Sequence, residues 1–539
     1  MTVLLRTSNN LPPSSDYDFW LGIAGTAMSL DTSRKLPMLE KLLEDTFVQI
    51  LPLWTKLGIA MANDPGADAA RAPTATAYGS DFGICLAWEK IAETLMTRTE
   101  RCLIVCDDPW LFRHLAGLSG INAGHPPILW PQKAYHFIRG TLARLKVALR
   151  VAVLSLTAHP VRIRISSNDS VLLVYSHPQS RADSYDAYFG DLMTKMPRLK
   201  RLLHGDSTGN DLNRLLDDKR TAAIHAWGNI ADAVRLLFVR WSPKMEGEKE
   251  RFRWLILRAA AIENGGGGPA MIRWQSYCQE RWLKHVKPAC VCWPWENHSW
   301  ERNLCRSAKK YGVKTLGYQH TAVGPHQINY STATNPDGLS SIPDMVICNG
   351  PAYRDEIAAW GVPAERLIIG GALRFKKFQK NCYDPSGPIF IPLSADSQVS
   401  QRQIRAAEKL AASKNRVLIK EHPMYPANFR ETQYMSRTKQ MLTEQKGLSA
   451  VVFCTGTSGL EAVLMGVPTY RLILDDKIAI DILPLDVKVP AVTLGDIESQ
   501  IKLNVAAPSA EWDQIFSEPD MKIWNFLLFD DKHANITST

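Results

Sequence analysis

The stretch "KPACVCWPWENHSWERNLCRSAKKYGVKTLGYQH", residues 287–320, decides the fold class. It begins with an apolar segment, "KPACVCW", continues with a helical pattern that ends at Gly312, and returns to a second apolar segment, "VKTLGYQH". A strand, a helix and another strand in this order predict a parallel sheet, because parallel strands need a crossover connection.

The same alternation continues to residue 472. The pattern predicts an α/β fold with parallel sheets covered by helices, in which ligands bind beyond the carboxyl ends of the strands. Further strands are expected at 343–350, 364–371, 387–394, 415–423, 448–456 and 467–472, and further helices at 351–361, 398–413 and 457–466.

Size and composition indicate a multidomain globular protein. The 539 residues exceed what one core usually holds, and 45% hydrophobic with 22% charged residues is an ordinary balance. The net charge of +9 favours an anionic ligand or an anionic membrane surface. Since the chain has no zinc-ligand spacing, RNA-binding motif or long Lys/Arg run, nucleic acid is not expected as a partner.

Cysteine usage and the apolar runs bear on the compartment. The ten cysteines are scattered, and several lie in apolar segments such as "CLIVC", residues 102–106, which is typical of buried thiols in a reducing cytoplasm. The start "MTVLLRTSNNLPPSSD" does not resemble a secretory signal, and no run of 18 uncharged apolar residues occurs. We therefore expect a cytoplasmic protein. The pair Asp107 and Asp108 is too small a cluster to predict a metal site, and no metal or cofactor is expected.

One segment has the character of a membrane-surface helix. In "FIRGTLARLKVALRVAVLSLTAHPVRIRI", residues 137–165, leucines recur at helical spacing among basic residues, and no acid interrupts them. A basic amphipathic helix at 137–153 can lie on an anionic inner membrane. The alternative is a surface helix that packs on the domain core, and the sequence leaves both open.

The turn in "FCTGTSGLEAVLMGVPTY", residues 453–470, is the strongest local signal. A strand ends there in small and hydroxyl-bearing residues, and a helix follows, so backbone N–H groups and hydroxyls can bind a phosphate while an acid of the first helical turn accepts from ribose. The alternative is ordinary Ser/Thr capping of the helix. The predicted nucleotide-binding residues here are Thr455, Gly456, Thr457, Ser458, Gly459 and Glu461.

A second anion-binding feature lies one strand-helix unit earlier. In "LIKEHP", residues 418–423, a strand ends in a histidine followed by proline. The proline restricts the histidine, whose ring can donate to a phosphate oxygen and stabilise a leaving phosphate. Lys420, His422 and Pro423 are therefore predicted to bind the nucleotide.

Two other stretches combine carboxylates with aromatic residues. In "WPWENHSWE", residues 293–301, Glu296 is the predicted catalytic carboxylate, with Trp295 and Asn297 as substrate-binding neighbours. Glu301 is interpreted as a charge at the helix start. In "RADSYDAYFGD", residues 181–191, Asp183 or Asp186 is an alternative catalytic acid and Tyr188 a sugar-binding aromatic; a solvated loop is the other interpretation.

The "EHP" motif followed by a strand and "TGTSGLEAVLMGVP" resembles bacterial GT-B glycosyltransferases that use CMP-activated acidic sugars, namely the Kdo transferases and sialyltransferases of surface-polysaccharide assembly. Residues 293–320 also resemble a segment of surface-carbohydrate biosynthesis proteins. The resemblance covers roughly residues 284–475. It implies that a His-Pro motif and a Ser/Thr-rich turn hold the CMP phosphate and ribose, and that Gln319 and His320 lie at the cleft, where His320 contacts the donor.

Together these observations predict a GT-B protein with two Rossmann-like domains facing across a cleft. The expected divisions are an acceptor-binding domain at 1–330 with helical insertions, a nucleotide-sugar-binding domain at 331–500 and a helical tail at 501–539. The predicted activity is transfer of an ulosonic acid, Kdo or a nonulosonate, from a CMP-linked donor to a lipopolysaccharide, O-antigen or capsule acceptor. Two alternatives remain. The first is a GT-B transferase that uses a UDP- or GDP-hexose, with Lys420 or Arg374 as the basic residue at the phosphate, or that transfers a polyol phosphate. The second is a non-catalytic, membrane-associated scaffold of polysaccharide assembly.

Overall fold

The computed structural model describes residues 3–23, 30–377, 383–422, 425–484 and 486–530. Every strand pair in this part of the chain is parallel, and the strands form three sheets. The predicted α/β class with parallel sheets is confirmed. Pro423 lies outside the described residues.

The first sheet has four strands in the order β2-β3-β1-β4. The sequence did not predict it as a unit, because its strands are short and two long helices separate the second strand from the third. The strands are β1 (Val3–Arg6), β2 (Phe19–Gly22), β3 (Cys102–Val105) and β4 (Ile121–Ala123).

The second sheet has seven strands in the order β11-β10-β9-β8-β5-β6-β7. The chain therefore builds outward from β5 in one direction and from β8 in the other, so the strand order reverses between these two strands. The strands are β5 (Ser170–Val174), β6 (Lys200–Leu203), β7 (Thr221–Ala223), β8 (Cys290–Pro294), β9 (Lys314–Tyr318), β10 (Met345–Cys348) and β11 (Leu367–Ile369).

The third sheet has six strands in the order β14-β13-β12-β15-β16-β17, with the reversal between β12 and β15. The second and third sheets are the two Rossmann-like units of the predicted GT-B arrangement, with a cleft between their carboxyl ends. The strands are β12 (Ile389–Pro392), β13 (Val417–Lys420), β14 (Met435–Arg437), β15 (Ala450–Phe453), β16 (Thr469–Leu472) and β17 (Ala491–Val492).

Helices connect and cover the sheets. The helix closed by Gly312 forms as predicted, with Gly312 in the left-handed region at φ 70°. The helices are α1 (Leu39–Ala62), α2 (Phe82–Met96), α3 (Pro109–Ala116), α4 (Trp130–Ala158), α5 (Leu192–Lys195), α6 (Gly209–Leu215), α7 (Ile230–Arg235), α8 (Arg253–Asn264), α9 (Gly268–Val286), α10 (Ser299–Tyr311), α11 (Pro351–Ala359), α12 (Ser397–Ala412), α13 (Ser458–Leu464), α14 (Ile497–Lys502), α15 (Trp512–Ile515) and α16 (Met521–Phe529).

The boundary between the two larger units differs from the one expected at residue 330. Strands β10 and β11 pair within the second sheet, which therefore extends to residue 369, and the third sheet begins at residue 389. The C-terminal helices then return to the second sheet: Trp524 of α16 is buried, and its indole N–H donates to the Gly370 carbonyl at 2.9 Å.

Candidate active site

The two strand-order reversals mark where ligands bind in sheets of this kind, since the connections diverge there and leave a crevice. In the second sheet the reversal brings together the ends of β5 and β8, which lead to His177 and Glu296. In the third sheet it brings together the ends of β12 and β15, which lead to Ser394 and Thr455. Burial and then the charges of Arg374 and of His422, which follows β13 in the third sheet, lower the pKa of His177.

A cavity of about 680 Å³ opens at the reversal in the third sheet. Its walls come from the turns after β12, β13 and β15, from the segment 77–81 before α2, and from the C-terminal half of α8. This volume falls within the usual range for small-molecule and cofactor sites. Five predicted nucleotide-binding residues line it, namely His422, Thr455, Gly456, Thr457 and Ser458.

In the turn at 455–458, the Thr455 hydroxyl lies beside Tyr78, whereas those of Thr457 and Ser458 make no hydrogen bond to another described residue. Gly456 has φ 116°, a conformation that favours glycine. At the start of α13, Thr457 has helical backbone angles and makes no side-chain capping bond, so the Ser/Thr capping interpretation does not hold. Because α13 has only seven residues, the hydroxyls and backbone N–H groups matter more here than the helix dipole.

His422 lines the same cavity after the end of β13. Its ring lies 5.2 Å from the Tyr425 ring, and its carbonyl accepts from the Tyr425 N–H at 3.1 Å. Burial lowers the pKa of His422 below its ordinary value, so a neutral imidazole predominates at neutral pH in the free protein.

One wall of the cavity comes from residues 77–81, which precede α2 and which the sequence did not predict to bind a ligand. The Tyr78 hydroxyl lies 3.2 Å from the Thr455 hydroxyl, and burial raises the pKa of Tyr78 to about 12. Ser80 and Asp81 also line the cavity, and Asp81 is paired with Arg258 at 2.8 Å.

A carboxylate-imidazole cluster occupies the second-sheet side of the cleft. Glu296 is hydrogen-bonded to the His298 ring at 2.7 Å, and its other oxygen lies 3.7 Å from the His320 ring. Burial by itself raises the pKa of Glu296, but the hydrogen bond and charge of His298 outweigh it and lower that pKa to about 2. In turn, burial lowers the pKa of His298, but Glu296 outweighs burial and raises it. Glu296 is therefore ionised at neutral pH.

The backbone around Glu296 is held in place by buried partners. Glu301, fully buried on the first turn of α10, accepts from the N–H groups of Glu296 and Asn297 at 2.8 and 2.7 Å. Asn297 sits at φ 57° and donates from its amide to the Asn329 carbonyl at 2.6 Å. Glu301 therefore has the structural role that was predicted for it, and the Glu296 side chain contacts His298 and His320 instead of the backbone.

Two of the predicted substrate-binding side chains extend this cluster. The His320 ring lies 5.2 Å from the Tyr188 ring, and the Tyr188 ring lies 5.9 Å from the His177 ring. Burial lowers the pKa of His320 to about 4, so this imidazole is neutral. The result is an aromatic wall next to the Glu296 carboxylate.

Arg374 brings a cation to Tyr188, and its charge also acts on Glu461 of α13. The exposed Arg374 lies over the Tyr188 ring at 5.4 Å and makes no ion pair with any described residue. Burial raises the pKa of Glu461 to about 7, with the Arg374 charge acting against it. A cation without an anionic partner in a cleft suits an anionic ligand.

The other predicted catalytic acids do not reach this cluster. Asp186 is fully buried and accepts from the Tyr188 N–H at 2.9 Å and the Phe189 N–H at 3.3 Å. Its remaining oxygen lies 3.9 Å from Arg201. Asp183 is exposed and pairs with its neighbour Arg181 at 3.2 Å. The structure therefore gives Asp186 a structural position and leaves Asp183 at the surface, in agreement with the solvated-loop interpretation for the latter.

Several predicted binding residues lie behind the cleft rather than in it. Gln319 is buried, and its side-chain amide oxygen accepts from the Asn349 N–H at 2.9 Å. Trp295 and Asn297 are also buried, and Trp295 packs on Tyr330. The polar groups and the large ring of these residues suggested a binding role, but in the structure they stabilise the loops themselves.

Among the predicted nucleotide-binding residues, Lys420, Gly459 and Glu461 do not line the cavity. Lys420 is the last residue of β13, and Gly459 is required by packing, because a Cβ there would lie 2.5 Å from the Phe453 ring. Glu461 belongs instead to the space near Arg374.

Tyr78 and Lys477 are cavity residues that the sequence analysis missed, and it named Arg374 only within the hexose-donor alternative. Lys477 lines the cavity and pairs with Asp396 at 3.2 Å. Tyr78 lies in "TAYGSD", a short polar turn that resembles any other loop. Within the described residues, no group of three or more His, Cys, Asp or Glu side chains is placed to hold a metal ion.

Comparisons with known proteins give only a distant likeness. No family model and no curated protein matches the chain. Among solved structures, Arabidopsis thaliana UGT89C1 complexed with UDP-L-rhamnose is 13% identical, with a TM-score of 0.36 over 65% of this chain and 92% of that one. The glycotransferase of kitacinnamycin is 8% identical, with a TM-score of 0.35 over 61% and 87%. Acinetobacter baumannii MurG is 13% identical, with a TM-score of 0.33 over 62% and 89%.

Proposed function

We propose that this protein transfers a sugar from a nucleotide-activated donor to an acceptor, and that the donor is a CMP-linked ulosonic acid. The acceptor belongs to a surface glycan such as lipopolysaccharide, O-antigen or capsule, as the sequence resemblance implies. The observation that carries the proposal is the presence of two features: a nucleotide-sized cavity lined by Thr457 and Ser458, and a fixed carboxylate-imidazole cluster at the end of β8.

In this proposal the cavity holds the nucleotide. Thr457, Ser458 and the backbone N–H groups of the turn donate to the phosphate, and His422 donates to it from the other side as the negative charge of the leaving group develops. Tyr78 brings a further hydroxyl next to Thr455. Hydrogen bonds to a charged group contribute about 1.5–3 kcal/mol each, so a few donors suffice for micromolar binding.

Arg374 favours a donor sugar that carries a carboxylate. It is an exposed cation beside Tyr188, and no described carboxylate neutralises it by an ion pair. An arginine can bind a carboxylate through two parallel hydrogen bonds, which fixes the sugar ring as well as its charge. Tyr188 and His320 then provide an aromatic wall for the ring.

Glu296 receives the proton of the acceptor hydroxyl, and His298 stays protonated beside it. The acceptor oxygen bonds to the anomeric carbon, the bond from that carbon to the phosphate oxygen breaks, and CMP leaves with the electron pair. Because the pKa of Glu296 is about 2, the carboxylate takes the proton late, when the attacking hydroxyl has become acidic. The charge of His298 holds the carboxylate in its ionised form before that step.

Nucleotide titration tests the proposal. The purified protein is heated with CMP, CDP, UDP or GDP, and CMP is expected to raise the melting temperature selectively; a ligand at 100 times its Kd adds about 2.7 kcal/mol. Stabilisation by UDP or GDP alone would replace the acidic donor with a hexose donor. No stabilisation by any nucleotide would contradict the transferase and favour the scaffold alternative.

Variants of the cavity lining test whether the nucleotide binds there. Thr457→Val with Ser458→Ala removes two hydroxyls, and we expect the Kd for CMP to rise roughly 100-fold. His422→Ala is expected to abolish transfer with a melting temperature close to that of the wild type. Thr443→Val, at an exposed position of the same unit, is the control and should bind CMP as the wild type does.

A further inference from the structure

Helix α4 carries an apolar stripe on the side that faces away from the core. Its inner face packs through small and apolar residues that include Ala148, Val151 and Ala158. A surface helix normally has a polar outer face, whereas this helix is apolar on both sides. The exposed stripe consists of Tyr135, Ile138, Leu142, Leu145, Leu149, Val153 and Leu156, with Leu142, Leu149 and Leu156 each more than 60% exposed.

The stripe continues beyond the ends of the helix. Trp130 at its start is 75% exposed, and Ile163, after its end, is 91% exposed. From Tyr135 to Leu156 the stripe runs for about 32 Å at 1.5 Å per residue. Exposed patches of this extent are uncommon on soluble monomers and indicate an interaction surface.

The charge distribution around the stripe identifies its partner. Between Asp108 and Asp169 the sequence contains no acid and eight basic residues, which is all but one of the chain's net positive charge of +9. On α4 itself Lys133, Arg139 and Lys146 are exposed beside the stripe. An apolar stripe flanked by cations fits the headgroup layer of an anionic bilayer, in which aromatic residues such as Trp130 and Tyr135 also bind favourably.

The helix lies on this surface rather than crossing it. Within the described chain, no helix combines the length and the apolar character needed to span a bilayer. Arg144, on the inner face, donates to the Leu237 carbonyl at 3.2 Å and the Asn264 carbonyl at 3.0 Å, which ties α4 to its neighbours.

We propose that α4 and its flanking residues 128–163 dock this protein on the surface of an anionic membrane. The docked face lies one helix away from the cavity: Asn264 ends α8 against α4, while Ile262 and Glu263 of α8 line the cavity. The inference does not depend on the proposed activity, since binding to lipid requires neither donor nor acceptor.

Sedimentation with lipid vesicles tests the docking. The full chain is mixed with vesicles of phosphatidylcholine alone or of phosphatidylcholine with one third phosphatidylglycerol. We expect binding to the anionic vesicles only, and release as salt is raised. An absence of binding to anionic vesicles at low salt would overturn the proposal.

Two variants separate the contributions of charge and apolar surface. Neutralising Lys133, Arg139 and Lys146 to glutamine is expected to weaken binding about 100-fold, at about fivefold for each charge. The quadruple variant Leu142→Ser, Leu149→Ser, Val153→Ser and Leu156→Ser should release the protein with no loss of melting temperature, because these side chains are exposed. The control neutralises Arg430, Lys439 and Lys446, three exposed cations of the third-sheet unit, and should bind as the wild type does.

Two outcomes would contradict membrane docking through the exposed stripe of α4. If the control weakens binding as much as the α4 variant, the attraction is general rather than located on α4. If light scattering shows that the wild type is a dimer and the serine variant a monomer, a second copy of the chain covers the stripe. Either result would overturn membrane docking.

Discussion

The loops at 181–191 and 295–301 look alike in sequence but differ in what their acids do. Each follows one of the two strands at the reversal in the second sheet, and each combines carboxylates with aromatic residues. In the first loop, Asp186 is fully buried and accepts from its own backbone. In the second, Glu301 performs that task, and Glu296 faces the cleft. Of these two loops, the one with a reactive carboxylate is therefore the one in which a second acid accepts the backbone N–H groups.

The largest effect is expected at the carboxylate that faces the cleft. Glu296→Gln keeps the shape and one acceptor oxygen but removes the charge and the proton acceptor, so turnover should fall by roughly 100- to 10,000-fold. The Kd for CMP should stay within about twofold, because the nucleotide lies on the other side of the cleft. Steady-state kinetics and calorimetric titration of the same preparation measure both. Unchanged turnover would remove Glu296 from the mechanism.

For Asp186, the buried acid of the 181–191 loop, we expect a loss of stability without a loss of turnover. Asp186→Ala leaves two backbone N–H groups without an acceptor and removes a charge near the buried Arg201, so the free energy of unfolding should fall by about 3–5 kcal/mol. Denaturant titration measures this loss. Turnover per folded molecule should stay close to that of the wild type. If Asp186→Ala is stable but has lost turnover, the catalytic carboxylate is Asp186 rather than Glu296.

The Glu296–His298 pair should stabilise the fold within a limited pH range. The contribution of Glu296, whose pKa is lowered to about 2, is present above its ordinary 4.5 and is lost as the pH falls. The contribution of His298, whose pKa is raised, is present below its ordinary 6.5 and is lost as the pH rises through the raised value. The difference in unfolding free energy between wild type and Glu296→Gln should therefore peak near about pH 5.5, at about 1 kcal/mol. A difference that grows from neutral to alkaline pH would contradict the pairing.

The smallest effect is expected at Asp183. Asp183 is exposed, and its contacts with Arg181 and with the Tyr185 N–H are local, so Asp183→Ala should change the free energy of unfolding by less than about 0.5 kcal/mol and leave turnover unchanged. Thermal melts and kinetics alongside the Asp186 variant measure this. A loss of turnover of tenfold or more would return the catalytic role to the 181–191 loop.

The sequence predicted the parts of this molecule that depend on local pattern. The strand-helix-strand unit at 287–320, the stop at Gly312 and the hydroxyl-rich turn after β15 are short-range features, and they are present in the structure. The anchoring role of Glu301 also follows from a local rule, since an acid on the first helical turn can accept from preceding N–H groups.

What the sequence could not supply is which distant segments meet. Tyr78 reaches Thr455 across 377 positions of sequence, and Arg374 reaches Tyr188 only because β11 and β5 belong to one sheet. The sequence also could not show which side chains are buried. Asp183 and Asp186 are three positions apart, yet Asp183 is exposed and Asp186 is fully buried. Local patterns cannot distinguish these two aspartates, because the buried Arg201 that lies beside Asp186 is distant in the sequence.

The most direct test of the account is the release of CMP from a CMP-linked ulosonic acid, measured for the wild type and for Glu296→Gln. We predict that the wild type releases CMP in the presence of a surface-glycan acceptor, and that the variant binds CMP equally well but releases it at least 100-fold more slowly. If neither protein releases CMP although both bind it, the cavity is a nucleotide site without the proposed transfer. Equal release by both proteins would contradict the role of Glu296.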